Sequence, residues 1–132
     1  LVGALALSLF LNSCSKDDGP TSPGDLLGKW YWKEYKVAGQ TIPYDDHEEC
    51  GKDYIQFNAN GTGSNVDIWE CAPDVAPFTY TRSGNNITVT SDGVSDTAQI
   101  IELSSTTLKV KTSFDFDDDG IDEQVIEVFT RN

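Results

Sequence analysis

The densest concentration of reactive side chains lies near the C-terminus, where Asp115, Asp117, Asp118, Asp119, Asp122 and Glu123 surround Phe116, Gly120 and Ile121. Carboxylates at Asp115, Asp117 and Asp119, with Gly120 next and Asp122 beyond, offer the alternating hard oxygens that Ca2+ takes at about 2.4 Å. Ile126 stands where a complete Ca2+ loop has its bidentate Glu, and Glu127 comes one place late. Only the weak affinity of extracellular Ca2+ modules is therefore expected. The alternative is a charged hairpin loop whose Asp-Gly step makes the turn and whose carboxylates are solvated.

Catalysis has little to work with. His47 is the single histidine, and neither a Gly-x-Ser-x-Gly elbow nor a metal-binding histidine pair is present. The chain is read as a binding protein and not an enzyme. Cys50 and Cys71 are an even pair once Cys14 is set aside, and in an exported domain such a pair is expected to form a disulfide. A zinc site is a poor rival with one histidine and no further cysteine. Lys and Arg total 9 against 22 Asp and Glu, a formal net charge of −13. A surface so acidic repels phosphate backbones and excludes nucleic acid as a partner. A monomer is expected.

The expectation of export comes from the first residues. The chain opens at Leu1 and has no Met, so a signal peptide, residues 1–13, is expected to begin upstream. Its apolar run to Leu11 has the length of a secretory hydrophobic region and is too short for a membrane-spanning helix. Leu11-Asn12-Ser13-Cys14 resembles the lipobox of bacterial lipoproteins, which implies cleavage before Cys14 and lipidation on it. Residues 14–25 carry Lys16-Asp17-Asp18 and then a Gly/Pro-rich stretch, the composition of a flexible tether. Lys-Asp-Asp after the cysteine also resembles the surface-export signal of Bacteroidota lipoproteins. The resemblance implies a membrane partner through the lipid on Cys14 and a surface-exposed place on the outer membrane.

Residues 26–132 must supply the scaffold. Short runs rich in Val, Ile, Thr and aromatics alternate with Gly, Asn, Asp and Ser, predicting strands over 29–37, 53–58, 63–70, 78–82, 87–91, 97–103, 108–114 and 123–131. Links at 59–62, 83–86 and 104–107 are tight hairpin turns. Those at 38–52, 71–77, 92–96 and 115–122 are read as longer loops. The pattern predicts an all-β, eight-stranded antiparallel up-and-down barrel with one tightly turned end and one loop-ringed end. Cys50 and Cys71 both fall at the loop-ringed end.

Gly28-Lys29-Trp30 resembles the Gly-x-Trp signature of lipocalins. In that family the Trp closes the barrel beside a basic residue from the last strand, a role the resemblance gives to Arg131. Asp53-Tyr54-Ile55-Gln56-Phe57 with Asn60-Gly61-Thr62, and the closing Phe129-Thr130-Arg131, resemble the small lipocalin-like domains of Bacteroidota lipoproteins. Strand periodicity puts Trp30, Trp32 and Glu34 on one face. Trp32, Glu34, Trp69 and Tyr80 are the candidate ligand-binding residues, although a barrel of eight strands has room for little beyond its own side chains. The loop end would collect Asp45, Asp46, Glu48, Glu49, Asp74, Asp92, Asp96 and the 115–123 cluster, against Lys29, Arg82 and Arg131 at the other. Such an anionic mouth favours neutral or cationic small molecules. The rival reading is a surface protein–protein interaction module with a filled barrel and functional, Ca2+-stabilised loops.

Overall fold

A computed structural model describes residues 26–132. Cys14, the signal segment and the tether read from the sequence lie outside the described residues. The strands are β1 (Gly28–Val37), β2 (Gln40–Pro43), β3 (Tyr54–Phe57), β4 (Thr62–Trp69), β5 (Ala72–Ser83), β6 (Asn86–Ser91), β7 (Val94–Leu103), β8 (Thr107–Phe114) and β9 (Glu123–Thr130). From β3 each strand pairs antiparallel with the next, and β1 pairs with both β3 and β9, closing an eight-stranded barrel. Closure leaves no long open edge, which is how such a sheet escapes edge-to-edge association.

β1 divides its length between two neighbours on one side. Gly28 to Tyr31 pair with β3, while Glu34 to Val37 pair with β2. The strand β2 was not foreseen, because it sits inside the stretch read as one long loop. Two further links differ from expectation. Residues 71–77 and 92–96 do not form loops: β5 begins at Ala72 and β7 at Val94. The turns are Glu70-Cys71, with φ of 50° and 63°, and Asp92-Gly93, with φ of 52° and 80°. Both positions of each turn have the positive φ of the hairpin geometry that matches strand twist. Glu-Cys carries no such signal, so the sequence hid that turn. The long links at the loop end are 38–53, which contains β2, and 115–122.

The opposite end is closed as the Gly-x-Trp resemblance implied. Trp30 is fully buried, donates its indole N–H to Leu26 O at 2.9 Å, and lies under the Arg131 guanidinium at 3.5 Å. Arg131 also donates to Lys29 O at 3.1 Å. Gly28 has φ of +103°, and a Cβ there would stand 3.1 Å from Arg131 Nη1, so both backbone and space call for glycine. Above this floor Phe57, Phe78, Ile87, Ile100, Leu103 and Leu108 fill the lower barrel. Gly63 makes room for the ring of Phe78, its partner on β5, since a Cβ there would fall 2.5 Å from that ring.

Cys50 and Cys71 form a disulfide across 21 positions, with Cα atoms 5.6 Å apart. It joins the 38–53 link to the β4–β5 turn. Glu48 reinforces it by accepting the backbone N–H groups of Glu70 at 3.1 Å and Cys71 at 2.9 Å.

Candidate ligand-binding site

The site begins with an irregularity in β1. Trp32 pairs with Phe129, but the next pair is Glu34 with Val128, so Lys33 is an extra residue in a β-bulge. One extra residue moves every later side chain to the other face. Trp32 faces inward, its ring 5.1 Å from that of Phe129. Glu34 turns outward instead of sharing that face, and pairs with Lys36 at 3.3 Å. Tyr35, opposite Glu127 in register, takes the inward place.

Between Trp32 and the filled lower barrel lies a cavity of about 220 Å³, walled by Ile55, Ile87, Val89, Leu108, Val110 and Phe129. Asn65 and Glu127 are its polar and charged members. Burial holds the Glu127 carboxyl above the usual carboxylate range, and the Trp32 indole N–H pulls it partly back. That indole nitrogen is itself buried and makes no hydrogen bond. The two groups therefore interact through space, and the geometry falls short of a bond. An unmade bond of this kind costs a buried donor about 1–3 kcal/mol.

Above the cavity is a mouth of about 180 Å³, where Trp32 and Asn65 are joined by Tyr44, Asp53, Asp67 and Asp74. Asp67 and Asp74 are directly opposite in the β4–β5 register, an arrangement that is destabilising for like charges. Asp67 is held above the ordinary aspartate value, first by desolvation and then by the charge and hydrogen bonding of Asp53, with Asp74 adding to it. Asp53 is buried and well bonded: it accepts Tyr44 Oη–H at 2.5 Å and Ile68 N–H at 2.8 Å. His47 accepts the Asp53 N–H on Nδ1 at 3.0 Å. That assignment leaves the proton on Nε2, which donates to Trp32 O at 2.8 Å. Tyr44 stacks on Trp32 with centroids 5.8 Å apart, and its N–H donates to the bulge carbonyl of Lys33 at 2.9 Å. Burial pushes the Tyr35 phenol up to about 12, with Glu127 adding to the effect. Burial, followed by the Asp53 hydrogen bond, raises Tyr44 as well.

Of the four candidate ligand residues, then, Trp32 lines the cavity and Glu34 faces away. Tyr80 packs in the lower barrel against Phe57 at 5.0 Å and donates to Asn58 O at 2.7 Å. Trp69 is 64% exposed at the β4–β5 tip, where with Asp46 and Glu48 it borders a rim cleft that shares Tyr44, Asp53 and Asp67 with the mouth. The sequence reading missed Glu127 as a cavity group, though Val125, Glu127 and Phe129 alternate along β9 and put a carboxylate in an inward stripe. Asp53 stood in the sequence only as the first residue of the Asp53-Tyr54-Ile55-Gln56-Phe57 motif, with no role of its own.

In the acidic link, Asp115, Asp117, Asp119 and Glu123 each bring a carboxylate oxygen within 4.8 Å of the others. Glu123 takes the place that the sequence spacing gave to Asp122. The loop also closes on itself: Asp115 accepts the N–H groups of Asp119 and Gly120 at 3.1 and 2.8 Å, and Glu123 that of Phe116 at 2.7 Å. The Phe116 N–H lowers the Glu123 pKa, but desolvation and the carboxylates of Asp117, Asp119 and Asp115 together hold it above the ordinary glutamate value.

A floor sealed by Trp30 and Arg131, an eight-stranded meander and a cavity opening at the loop end define a lipocalin-like barrel. The family profile of the lipocalin-like domain matches residues 26–110, and the chain belongs to that family. Among solved structures it is similar to a lipocalin-like protein from Bacteroides uniformis, with 17% identity and a TM-score of 0.60 over 83% of this chain and 100% of that one. An uncharacterized protein from Bacteroides eggerthii gives 14% identity and 0.59 over 82% and 100%. A bovine lipocalin allergen gives 16% and 0.51 over 85% and 76%. At these identities the likeness concerns the fold. No curated protein matches the sequence.

Proposed function

We propose that this barrel binds a small neutral or cationic molecule without transforming it, as a lipoprotein of the outer membrane tethered through Cys14. The observation that carries the binding reading is the cavity of about 220 Å³ behind Trp32, which holds Glu127 and an unbonded indole N–H. Ligand sites usually run to 300–1,000 Å³, while an apolar cavity of about 150 Å³ takes benzene. A single ring or a short chain fits the difference. Native mass spectrometry of protein purified from its own host is expected to find a co-bound compound of that size. Apo protein that also fails to bind any member of a fragment library would overturn the reading.

The anchor is supported by the Leu11-Asn12-Ser13-Cys14 pattern and by where the domain starts. Leu26 lies at the Trp30 floor, so in this reading the tether joins the barrel at the end opposite the acidic mouth. Fatty-acid labelling that persists in Cys14→Ala, or a protein that protease cannot reach on intact cells, would count against the anchor and its surface display respectively.

A second reading has its own observation. Trp69, Val75, Val94 and Ile121 are between 54% and 66% exposed, and all stand at the loop end, as an interaction module would place them. Ca2+ held by Asp115, Asp117, Asp119 and Glu123 would stiffen that rim. Millimolar Ca2+ is expected to raise the melting temperature, and Asp117→Ala to remove the rise; no shift in the wild type would sink the Ca2+ part.

A further inference from the structure

We propose that the cavity selects a small organic amine, whose apolar body packs on Ile87, Val89, Leu108 and Val110 while its ammonium donates to the Glu127 carboxylate. This rests on the small-molecule reading above and names the ligand class it implies.

Three independent features converge on a cation. No Lys, Arg or His lines the cavity among the described residues, so Glu127 faces apolar walls with no counter-charge. Buried carboxylates in proteins are paired or they neutralise. The Trp32 Nε1–H, buried and unbonded, points to the second feature: it favours the charged form of Glu127. One carboxylate can accept from an ammonium while the indole N–H stays directed at it, so a bound amine supplies the counter-charge that Glu127 lacks. Third, the adjoining mouth, which shares Trp32 and Asn65 with the cavity, carries Asp53, Asp67 and Asp74. These concentrate cations and repel carboxylate or phosphate compounds. A carboxylic acid of the same shape would meet those three and then Glu127. A neutral alcohol would bond to Glu127 but leave its charge uncompensated.

The groups facing Glu127 do not blur the expected pH behaviour. Tyr35 from β1, its neighbour in register, is a neutral phenol until about 12. Trp32 does not titrate, and Val110 from β8 and Asn65 from β4 carry no charge. Amine affinity should therefore rise as pH rises through the elevated Glu127 range, and binding below it should release a proton.

Phenethylamine, phenethyl alcohol and phenylacetate share one ring and differ in charge. Calorimetry on the full domain should give the amine an advantage on the order of tenfold over the alcohol, as a charge-assisted bond supplies, with phenylacetate weakest. In buffers of different ionisation enthalpy the amine alone should show proton release. Glu127→Gln should reduce the amine-to-alcohol ratio to near one, with its melting curve confirming a folded barrel. Equal binding of amine and alcohol by the wild type would overturn the amine proposal while upholding a small-molecule cavity. A ratio that survives Glu127→Gln but collapses in Asp67→Asn or Asp74→Asn would overturn Glu127 as the determinant. Binding of none of the three, at concentrations where a fragment library does bind, would overturn the amine class. Silence from the library too would take the cavity reading with it.

Discussion

At the scale of single residues, Glu127 is the side chain whose place and whose comfort disagree. Its folded pKa is raised by burial above the unfolded value near ~4.3. Between those two values the folded state holds a proton that the unfolded chain has lost. Stability therefore falls as pH rises through this window and stays lower above it. Glu127→Gln removes the penalty. The variant should melt close to wild type at acid pH and increasingly above it as pH rises toward neutrality. Thermal melts of the two proteins from pH 4 to pH 8 would check this; parallel curves would show that Glu127 is not desolvated in solution. Asp53 is the contrast, a buried carboxylate bonded to Tyr44 Oη–H and Ile68 N–H, and satisfied without a ligand.

At the scale of elements, the loop end is held by one covalent tie and one hydrogen-bonded one. The Cys50–Cys71 bridge closes 21 positions, a loop whose chain-entropy stabilisation is about 3 kcal/mol. Cys50→Ser with Cys71→Ser should lower the denaturant midpoint accordingly, with a somewhat steeper slope because the unfolded chain without the bridge is more expanded. A loss below about 1 kcal/mol would mean that the Glu48 bonds to the 70–71 turn hold the link almost alone. The bridge was legible because an even cysteine pair in an exported domain is expected to join, and the strand order brings both cysteines to one end. The eight barrel strands were legible too, since period-two burial writes itself into residue types, while Trp30 and Arg131 were legible through the Gly-x-Trp resemblance. What stayed hidden has a common cause. The Glu70-Cys71 turn and the bulge at Lys33 are set by backbone geometry that tertiary contacts impose, with no Asn-Gly or proline to announce them, and strand β2 is a four-residue run behind the Ala38-Gly39 turn. The bulge mattered most, because it exchanged Glu34 for Tyr35 on the inner wall and made the predicted Trp32/Glu34 pair a Trp32/Glu127 pair.

For the molecule as a whole, charge is the dominant fact. The net charge is −13, and the loop end gathers the 115–122 link, Asp46, Glu48 and the mouth carboxylates, while Lys29 and Arg131 sit at the floor. Association of a cationic probe should be faster than that of its neutral isostere at low salt. The difference should shrink as the Debye length falls from about 30 Å at 0.01 M to about 8 Å at 0.15 M. Stopped-flow measurements across that range would test it, and rates independent of salt would remove the mouth from any steering role.

One spare residue ties these levels together. Lys33 adds nothing to the ladder between β1 and β9: delete it, and Trp32 still meets Phe129 while Glu34 still meets Val128. Its carbonyl, however, is where the Tyr44 N–H is moored. A chain shortened by that one residue should keep its barrel and its melting cooperativity but let Tyr44 drift from Trp32, visible as lost protection of the Tyr44 amide in hydrogen exchange. In a lineage that gains and loses single residues, this is a position where an insertion can tie a second aromatic ring against Trp32, and where a deletion can release it without unfolding anything.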